Sequence, residues 1–132
     1  MLKTKNLHRL AEFKFETKDG IIAMQRIEQH PILSIAEAAE FTFTCDGKEV
    51  TAREGETVAA ALIANGIRTF RHTAKHHEPR GIFCGIGQCT DCIMEIDGVM
   101  NVRACMTMAK PGMVVRSQDG HGKIAGEGKD AE

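Results

Sequence analysis

Four of the five cysteines lie within the 22 residues from Cys84 to Cys105. The first three stand in the stretch Cys84-Gly85-Ile86-Gly87-Gln88-Cys89-Thr90-Asp91-Cys92, a C-x4-C-x2-C spacing, and twelve residues separate Cys92 from Cys105. Thiolates are soft ligands that select zinc, copper(I) and iron–sulfur clusters. This spacing matches the plant-type arrangement in which four thiolates hold two irons in a 2Fe–2S cluster. Thiolates converging on a small inorganic core need a backbone that curls around it. Gly85 and Gly87 permit positive φ and close approach, so main-chain N–H groups can point at sulfur. Zinc is the competing metal, but structural zinc sites usually take their cysteines in two short-spaced pairs, and here the fourth cysteine comes alone. A purely structural cluster of thiols is the third reading. The spacing favours 2Fe–2S, with Cys84, Cys89, Cys92 and Cys105 as the candidate ligands.

The remaining reactive residue types read more plainly. Cys45 falls at the end of an expected strand, where a free cysteine acts as a small buried hydrophobe. His72, His76 and His77 could suggest a Rieske centre, in which two histidines replace two cysteines on one iron. Four suitably spaced cysteines already fill every ligand position, so these histidines are expected on a solvated or partner-facing loop. Met94, Met100, Met106 and Met108 read as core filler. An oxidised 2Fe–2S centre with four thiolates carries a charge of about −2, so nearby cations favour its reduced form. Lys75, Arg80 and Arg103 are near enough in sequence to raise the potential above the plant-type value of about −400 mV. The plainer reading of the three, as ordinary solvated charges, stands beside that one.

The elements that must hold these residues begin near Phe41. Phe41-Thr42-Phe43-Thr44 alternates apolar and polar residues, Asp46-Gly47 is a strong hairpin turn, and Glu49-Val50-Thr51-Ala52 returns as a second strand. Gly55 to Gly66 reads as a short helix with an acidic first turn, Val58 and Leu62 at an i, i+4 spacing, and a closing Asn65-Gly66. Residues 67–83 are basic, His-rich and interrupted by Pro79, and are expected mostly as loop. Ile93 to Ile96 and Val99 to Val102 flank Asp97-Gly98 as a second hairpin, and Met113-Val114-Val115 is a last strand after Pro111-Gly112. The expected class is α+β, with one helix packed on a mixed sheet as in a β-grasp domain. Residues 1–40 then form an N-terminal extension, in which Ser34 to Glu40 makes at most two helical turns. Residues 41–116 form the domain, and 117–132 a polar, Gly-rich tail too poor in apolar residues to order itself.

A chain of 132 residues, 42% hydrophobic and 27% charged, has room for one domain. A net charge of −1 argues against a nucleic-acid binder, and the absence of Trp and Tyr, with only six Phe, argues against a stacking platform for single strands. No apolar run approaches the roughly 20 residues of a membrane span. The N-terminus starts basic but lacks the apolar core of a signal peptide, and Glu12, Glu16 and Asp19 argue against a mitochondrial presequence. A cytoplasmic location with reduced thiols is therefore expected.

Residues Cys84 to Cys105, with Gly81-Ile82-Phe83 before them and Gly112-Met113-Val114-Val115 after, resemble the small 2Fe–2S subunit of FAD-dependent amino-acid dehydrogenase and oxidase complexes. These include hydrogen cyanide synthase, opine dehydrogenases and hydroxyproline dehydrogenases. Phe70 to Ile82 is similar to a segment of the N-terminal domain of sarcosine oxidase alpha subunits, a relative that typically lacks this cysteine set. Arg26 to Leu33 resembles the usual family opening, so the resemblance covers about residues 24–117. It implies a 2Fe–2S ferredoxin-like β-grasp fold with one cluster, FAD on a partner subunit, and no substrate site on this chain. By the same resemblance Cys84 and Cys89 would hold the outer iron, and Cys92 and Cys105 the inner one. Residues 1–23 precede the family-like start and are expected to be dispensable for cluster binding.

The implied function is one-electron transfer from the flavin of a multisubunit amino- or imino-acid dehydrogenase (opine, proline, hydroxyproline or glycine type). A free-standing 2Fe–2S ferredoxin is the alternative, although such proteins are commonly acidic, which aids steering to basic partners. The iron–sulfur subunits of molybdenum hydroxylases and succinate dehydrogenases need a further cysteine-bearing domain, and no cysteine follows Cys105. No dinucleotide-binding G-x-G-x-x-G sits on a strand–helix turn, and so small a fold leaves no room for a flavin and a substrate cavity. No catalytic residue is expected on this chain. Ile82, Phe83 and Ile86 are expected to form a docking rim at the cysteine loop; the plainer alternative is that they pack beneath it.

Overall fold

A computed structural model gives the fold of residues 26–122. Residues 1–25 and 123–132 lie outside the described residues, and with them the expected dispensability of residues 1–23.

Alternating residues build the first hairpin. Strands β1 (Glu40–Cys45) and β2 (Lys48–Arg53) pair antiparallel, with Phe43 opposite Val50 and Cys45 opposite Lys48. The connecting Asp46 and Gly47 both have positive φ, 49° and 78°, as the two-residue hairpin turn requires. Helix α1 (Val58–Ala64) follows, with the Thr57 side chain accepting the Ala60 N–H at its start. Asn65 caps its end and Gly66 turns away at φ 80°. The expected acidic first turn is absent. Glu56 lies ahead of the cap and binds Arg26 through both carboxylate oxygens, which fixes the incoming chain against the domain. The Arg26 guanidinium in turn holds the Glu56 carboxyl below its ordinary value.

The stretch expected as loop carries two short strands, β3 (Arg71–His72) and β4 (Pro79–Arg80), paired antiparallel. The second hairpin, β5 (Ile93–Ile96) and β6 (Val99–Arg103), turns at Asp97-Gly98. Strand β7 (Val114–Arg116) runs parallel to β1 and antiparallel to β5, so the five-stranded mixed sheet has the order β2-β1-β7-β5-β6. Strand β8 (Gln118–Asp119) pairs parallel with β3, completing a three-stranded sheet β4-β3-β8. The result is the α+β, ferredoxin-like arrangement expected, with one short helix and a second, smaller sheet.

One face of the large sheet makes the core. Phe43 and Cys45 on β1, Val50 and Ala52 on β2, Met94 and Ile96 on β5, and Val115 on β7 are buried together with Val58, Ala59, Ala61 and Leu62 of α1. Val115 lies opposite Cys45 on one side and Ile96 on the other, a continuous apolar row across three strands. Each large aliphatic side chain buried in this way contributes about 1.5–3 kcal/mol.

Residues 117–122 pack onto the domain rather than leaving it. Gln118 is 1% exposed; its side-chain amide donates to Asn101 Oδ1 at 2.8 Å, and its Oε1 accepts the Asn101 N–H at 2.9 Å. A polar segment can order itself here because the pairing runs through amides and backbone, with no demand for apolar residues. No helix forms between Ser34 and Glu40; this stretch has no regular structure until β1 begins.

Candidate metal centre

The segment from Gly81 to Cys92 has no regular secondary structure and loops between β4 and β5. Within it the Cys84 sulfur accepts three main-chain N–H groups, from Ile86 at 3.4 Å, Gln88 at 3.3 Å and Cys89 at 3.4 Å. Gly85 and Gly87 make that curl possible, with φ of 69° and 76°. The amide donors from Ile86 and Cys89 pull the Cys84 thiol down to about 6.

Cys105 reaches the loop from the end of β6. The carbonyl of Cys92 accepts the Ala104 N–H at 3.2 Å, while the carbonyls of Ala104 and Thr107 accept the N–H groups of Ala59 and Val58 at 3.0 and 2.8 Å. The turn bearing Cys105 thus satisfies donors that the start of α1 would otherwise leave unpaired. Cys92 and Cys105 are buried, whereas Cys84 and Cys89 are half-buried. Burial pushes the Cys92 thiol up, against the pull of the Cys105 N–H.

The Cys89 N–H meets the Cys84 sulfur at 3.4 Å, and Cys92 is influenced by both Cys105 and Cys89. Among the described residues no three His, Cys, Asp or Glu side chains gather where one metal ion could sit. A structural zinc site needs four ligands on a single centre. A loop that turns three amides onto one cysteine sulfur instead suits the cysteine loop of a 2Fe–2S centre.

In the chain free of iron, Cys84 is mostly thiolate above pH 6, and thiolate is the form that alkylates. Iodoacetamide labelling of Cys84, followed by mass spectrometry, is therefore expected to titrate near pH 6. Cys45 is buried, its thiol is pushed up to about 11, and it should stay unlabelled at pH 8. Cys84 labelling that begins only above pH 8 would contradict this.

Two arginines grip the outside of the loop. Arg103 donates from Nε to the Cys89 carbonyl at 2.9 Å. Arg71 donates from Nε to the carbonyls of Thr90 at 3.1 Å and Asp91 at 3.3 Å, and from Nη2 to the Asp91 carboxylate at 3.4 Å. Of the three cations expected to act on the centre, Arg103 is in contact with its loop and Arg80 is paired with Glu78. Lys75 lies exposed in the turn between β3 and β4. Sequence reasoning missed Arg71, which stands 19 and 20 residues from its carbonyl partners with no local pattern joining them. The histidines lie apart from the thiols, on β3 and the turn that follows it, and His72 faces Asp119 at 3.4 Å.

The apolar rim does not pack beneath the loop. Ile82, Phe83 and Ile86 are 42%, 80% and 66% exposed. An open groove of about 530 Å³ runs beside it, lined by Ile27, Ala60, Ile63 and Ile82 and bordered by Gly85 and Cys105.

This fold and this cysteine loop define a small 2Fe–2S protein of ferredoxin-like architecture, and residues 38–120 match the family described as the 2Fe–2S iron–sulfur cluster binding domain. The chain belongs to that family. Hydrogen cyanide synthase subunit HcnA of Pseudomonas protegens is 36% identical over 94 residues, which cover 71% of this chain and 89% of the relative. Sarcosine oxidase subunit alpha of Rhizobium meliloti is 33% identical over 82 residues, 59% of this chain and 8% of that protein. Among solved structures, L-proline dehydrogenase from P. horikoshii superposes with a TM-score of 0.56 at 28% identity, covering 69% of this chain and 18% of the other. The resemblance drawn from the cysteine stretch is thus borne out. The chain spans most of HcnA but only a small part of the other two. Among the described residues, no helix is long and apolar enough to cross a membrane.

Proposed function

We propose that this chain is the one-electron relay subunit of a multisubunit, cytoplasmic, FAD-dependent dehydrogenase acting on an amino or imino acid. In this reading Cys84, Cys89, Cys92 and Cys105 hold one 2Fe–2S cluster, and the FAD lies on a partner subunit. The observation that carries it is the cysteine loop, where three amides converge on one sulfur beside an outward-facing apolar rim. When bound, the cluster supplies a store for a single electron, which lets a flavin's two-electron load be passed on in steps.

Cys84 and Cys89, the less buried pair, would hold the iron nearer the surface, and Cys92 and Cys105 the deeper one. Phe83 and Ile86 project beside the outer pair, and the groove along Ile63 and Ile82 extends the same apolar surface. Apolar area of this kind, grouped at a redox centre, fits a partner protein that excludes water from the contact. The names of the relatives support an amino-acid substrate: two of the three are named for sarcosine and L-proline, both secondary amino acids.

The flavoprotein that co-purifies with this chain should, under anaerobic conditions with its amino acid, bleach the visible absorption of the relay chain rapidly. Ile86→Asp should slow that bleaching by about tenfold through a charge placed in the desolvated contact, with the absorption spectrum itself intact. Bleaching by an amino acid without any flavoprotein would overturn the relay. A chain that never co-purifies with a flavoprotein and exchanges electrons with unrelated proteins would be a free-standing ferredoxin.

A further inference from the structure

We infer that Arg71 and Arg103 are positioning residues that turn the amides of Thr90, Asp91 and Cys92 toward the cluster sulfurs. The inference rests on the reading of the four cysteines as ligands and goes beyond it.

The two guanidiniums hold three consecutive carbonyls, those of Cys89, Thr90 and Asp91. The peptide bonds of the described residues contain no cis form. In a trans peptide the C=O of one residue and the N–H of the next point in opposite directions across a rigid plane. Fixing those three carbonyls outward therefore directs the N–H groups of Thr90, Asp91 and Cys92 the other way. Among the described residues these three amides have no protein acceptor. Cys92 is buried and Asp91 half-buried, so their unpaired amides are costly unless something accepts from them, and thiolate or sulfide sulfur is the acceptor at hand; Thr90, at the exposed end of the run, also reaches water. The preceding half of the loop already follows this rule, with the amides of Ile86, Gln88 and Cys89 on the Cys84 sulfur. The arginines would extend the same polarity through Cys92.

This also gives the second sheet a purpose. Arg71 is placed by β3, which is held between β4 and β8, and its side chain is 14% exposed. Asp91 binds the same guanidinium and holds its plane against the loop. Arg103 ends β6 and reaches the loop from the opposite hairpin. A planar guanidinium held at fixed angles is not replaced by a lysine ammonium, which keeps the charge and loses the geometry.

The test uses the full chain loaded with its cluster, in wild-type form and as Arg71→Lys, Arg71→Ala, Arg103→Lys and Arg103→Ala. Three readouts are taken: midpoint potential, rate of cluster loss to a chelator, and hydrogen exchange at the amides of residues 90–92. The alanine variants should lose the cluster about tenfold faster, the scale of one charge-assisted hydrogen bond, with a lower potential and faster exchange at those amides. The lysine variants should move in the same direction, because charge alone does not hold the carbonyls. Full rescue by lysine would show a field effect only and overturn the inference, as would four variants indistinguishable from wild type. If Arg71→Ala does not fold, Arg71→Lys and the exposed Arg103 pair carry the comparison. A wild-type chain that shows no 2Fe–2S absorption would instead overturn the ligand reading beneath it.

Discussion

Serine at Cys84, Cys89, Cys92 or Cys105, one position at a time, is expected to remove most of the bound iron and the visible absorption, while Cys45→Ser leaves both near wild type. A serine hydroxyl is a far weaker ligand for iron than a thiolate, and in the proposed ligand set each of the four would be one of only two protein ligands on its iron. The losses should differ in kind. Cys84→Ser leaves three loop amides without their sulfur acceptor, so the loop itself should loosen. Cys92→Ser and Cys105→Ser put a hydroxyl where the chain is buried, which adds a stability cost of about 1–3 kcal/mol. Cys45 is 2% exposed in the strand row beside Val115, and burial holds its thiol in the neutral form. Cys45→Ser should therefore lower the melting temperature without touching the spectrum. Iron analysis with visible spectroscopy on the five purified variants decides it; wild-type iron in Cys89→Ser, or a lost spectrum in a folded Cys45→Ser, would contradict the assignment.

That assignment places strong demands on a short stretch of chain, and the fold meets them from three directions. The helix start receives the carbonyls around Cys105, β3 delivers Arg71, and the end of β6 delivers Arg103. None of these supports makes its contact within the cysteine loop's own sequence. This is the physical limit on what could be read from the residues in order. Both hairpins were legible because Asp46-Gly47 and Asp97-Gly98 supply the positive φ values that a two-residue turn needs. The helix was legible from Val58, Leu62 and the Asn65-Gly66 ending, all of which have the roles expected. The smaller sheet was not. Its strands are two residues long and made of Arg71, His72, Pro79, Arg80, Gln118 and Asp119, which carry no apolar alternation to read. Glu56 looked like a residue of the first helical turn, but the cap falls at Thr57 and the Glu56 carboxylate instead accepts from Arg26, 30 residues away, and from the Arg53 N–H.

Glycine in the cysteine loop shows the same limit and supports the strongest backbone prediction. Gly85 and Gly87 attract notice from sequence because loops that wrap a small core need positive φ. The least replaceable glycine is a different one. A Cβ on Gly81 would lie 2.2 Å from the carbonyl oxygen of Arg68, a backbone atom, whereas a Cβ on Gly85 would meet nothing within 4 Å. The Arg68 carbonyl cannot easily retreat. Ile67 just before it is tied to the Leu62 carbonyl at 2.9 Å, and the fully buried Phe70 just after it donates to Arg80 at 2.8 Å. Gly81→Ala must then push the start of the loop away from Arg68, moving Cys84 relative to Cys105. Gly85→Ala pays only for a left-handed backbone at φ 69°, about 1–2 kcal/mol. Overpacking against fixed atoms costs about 1–3 kcal/mol or more, and in a domain of this size each kcal/mol shifts the melting temperature by about 4–8 °C. We therefore expect Gly81→Ala to melt about 10 °C or more below wild type and to lose most of its iron, and Gly85→Ala to melt within about 10 °C of wild type with its iron retained. Parallel thermal melts and iron analyses of the two variants would reverse the argument if Gly85→Ala proved the more damaged, since that would make positive φ, not the Arg68 contact, the tighter constraint on the loop.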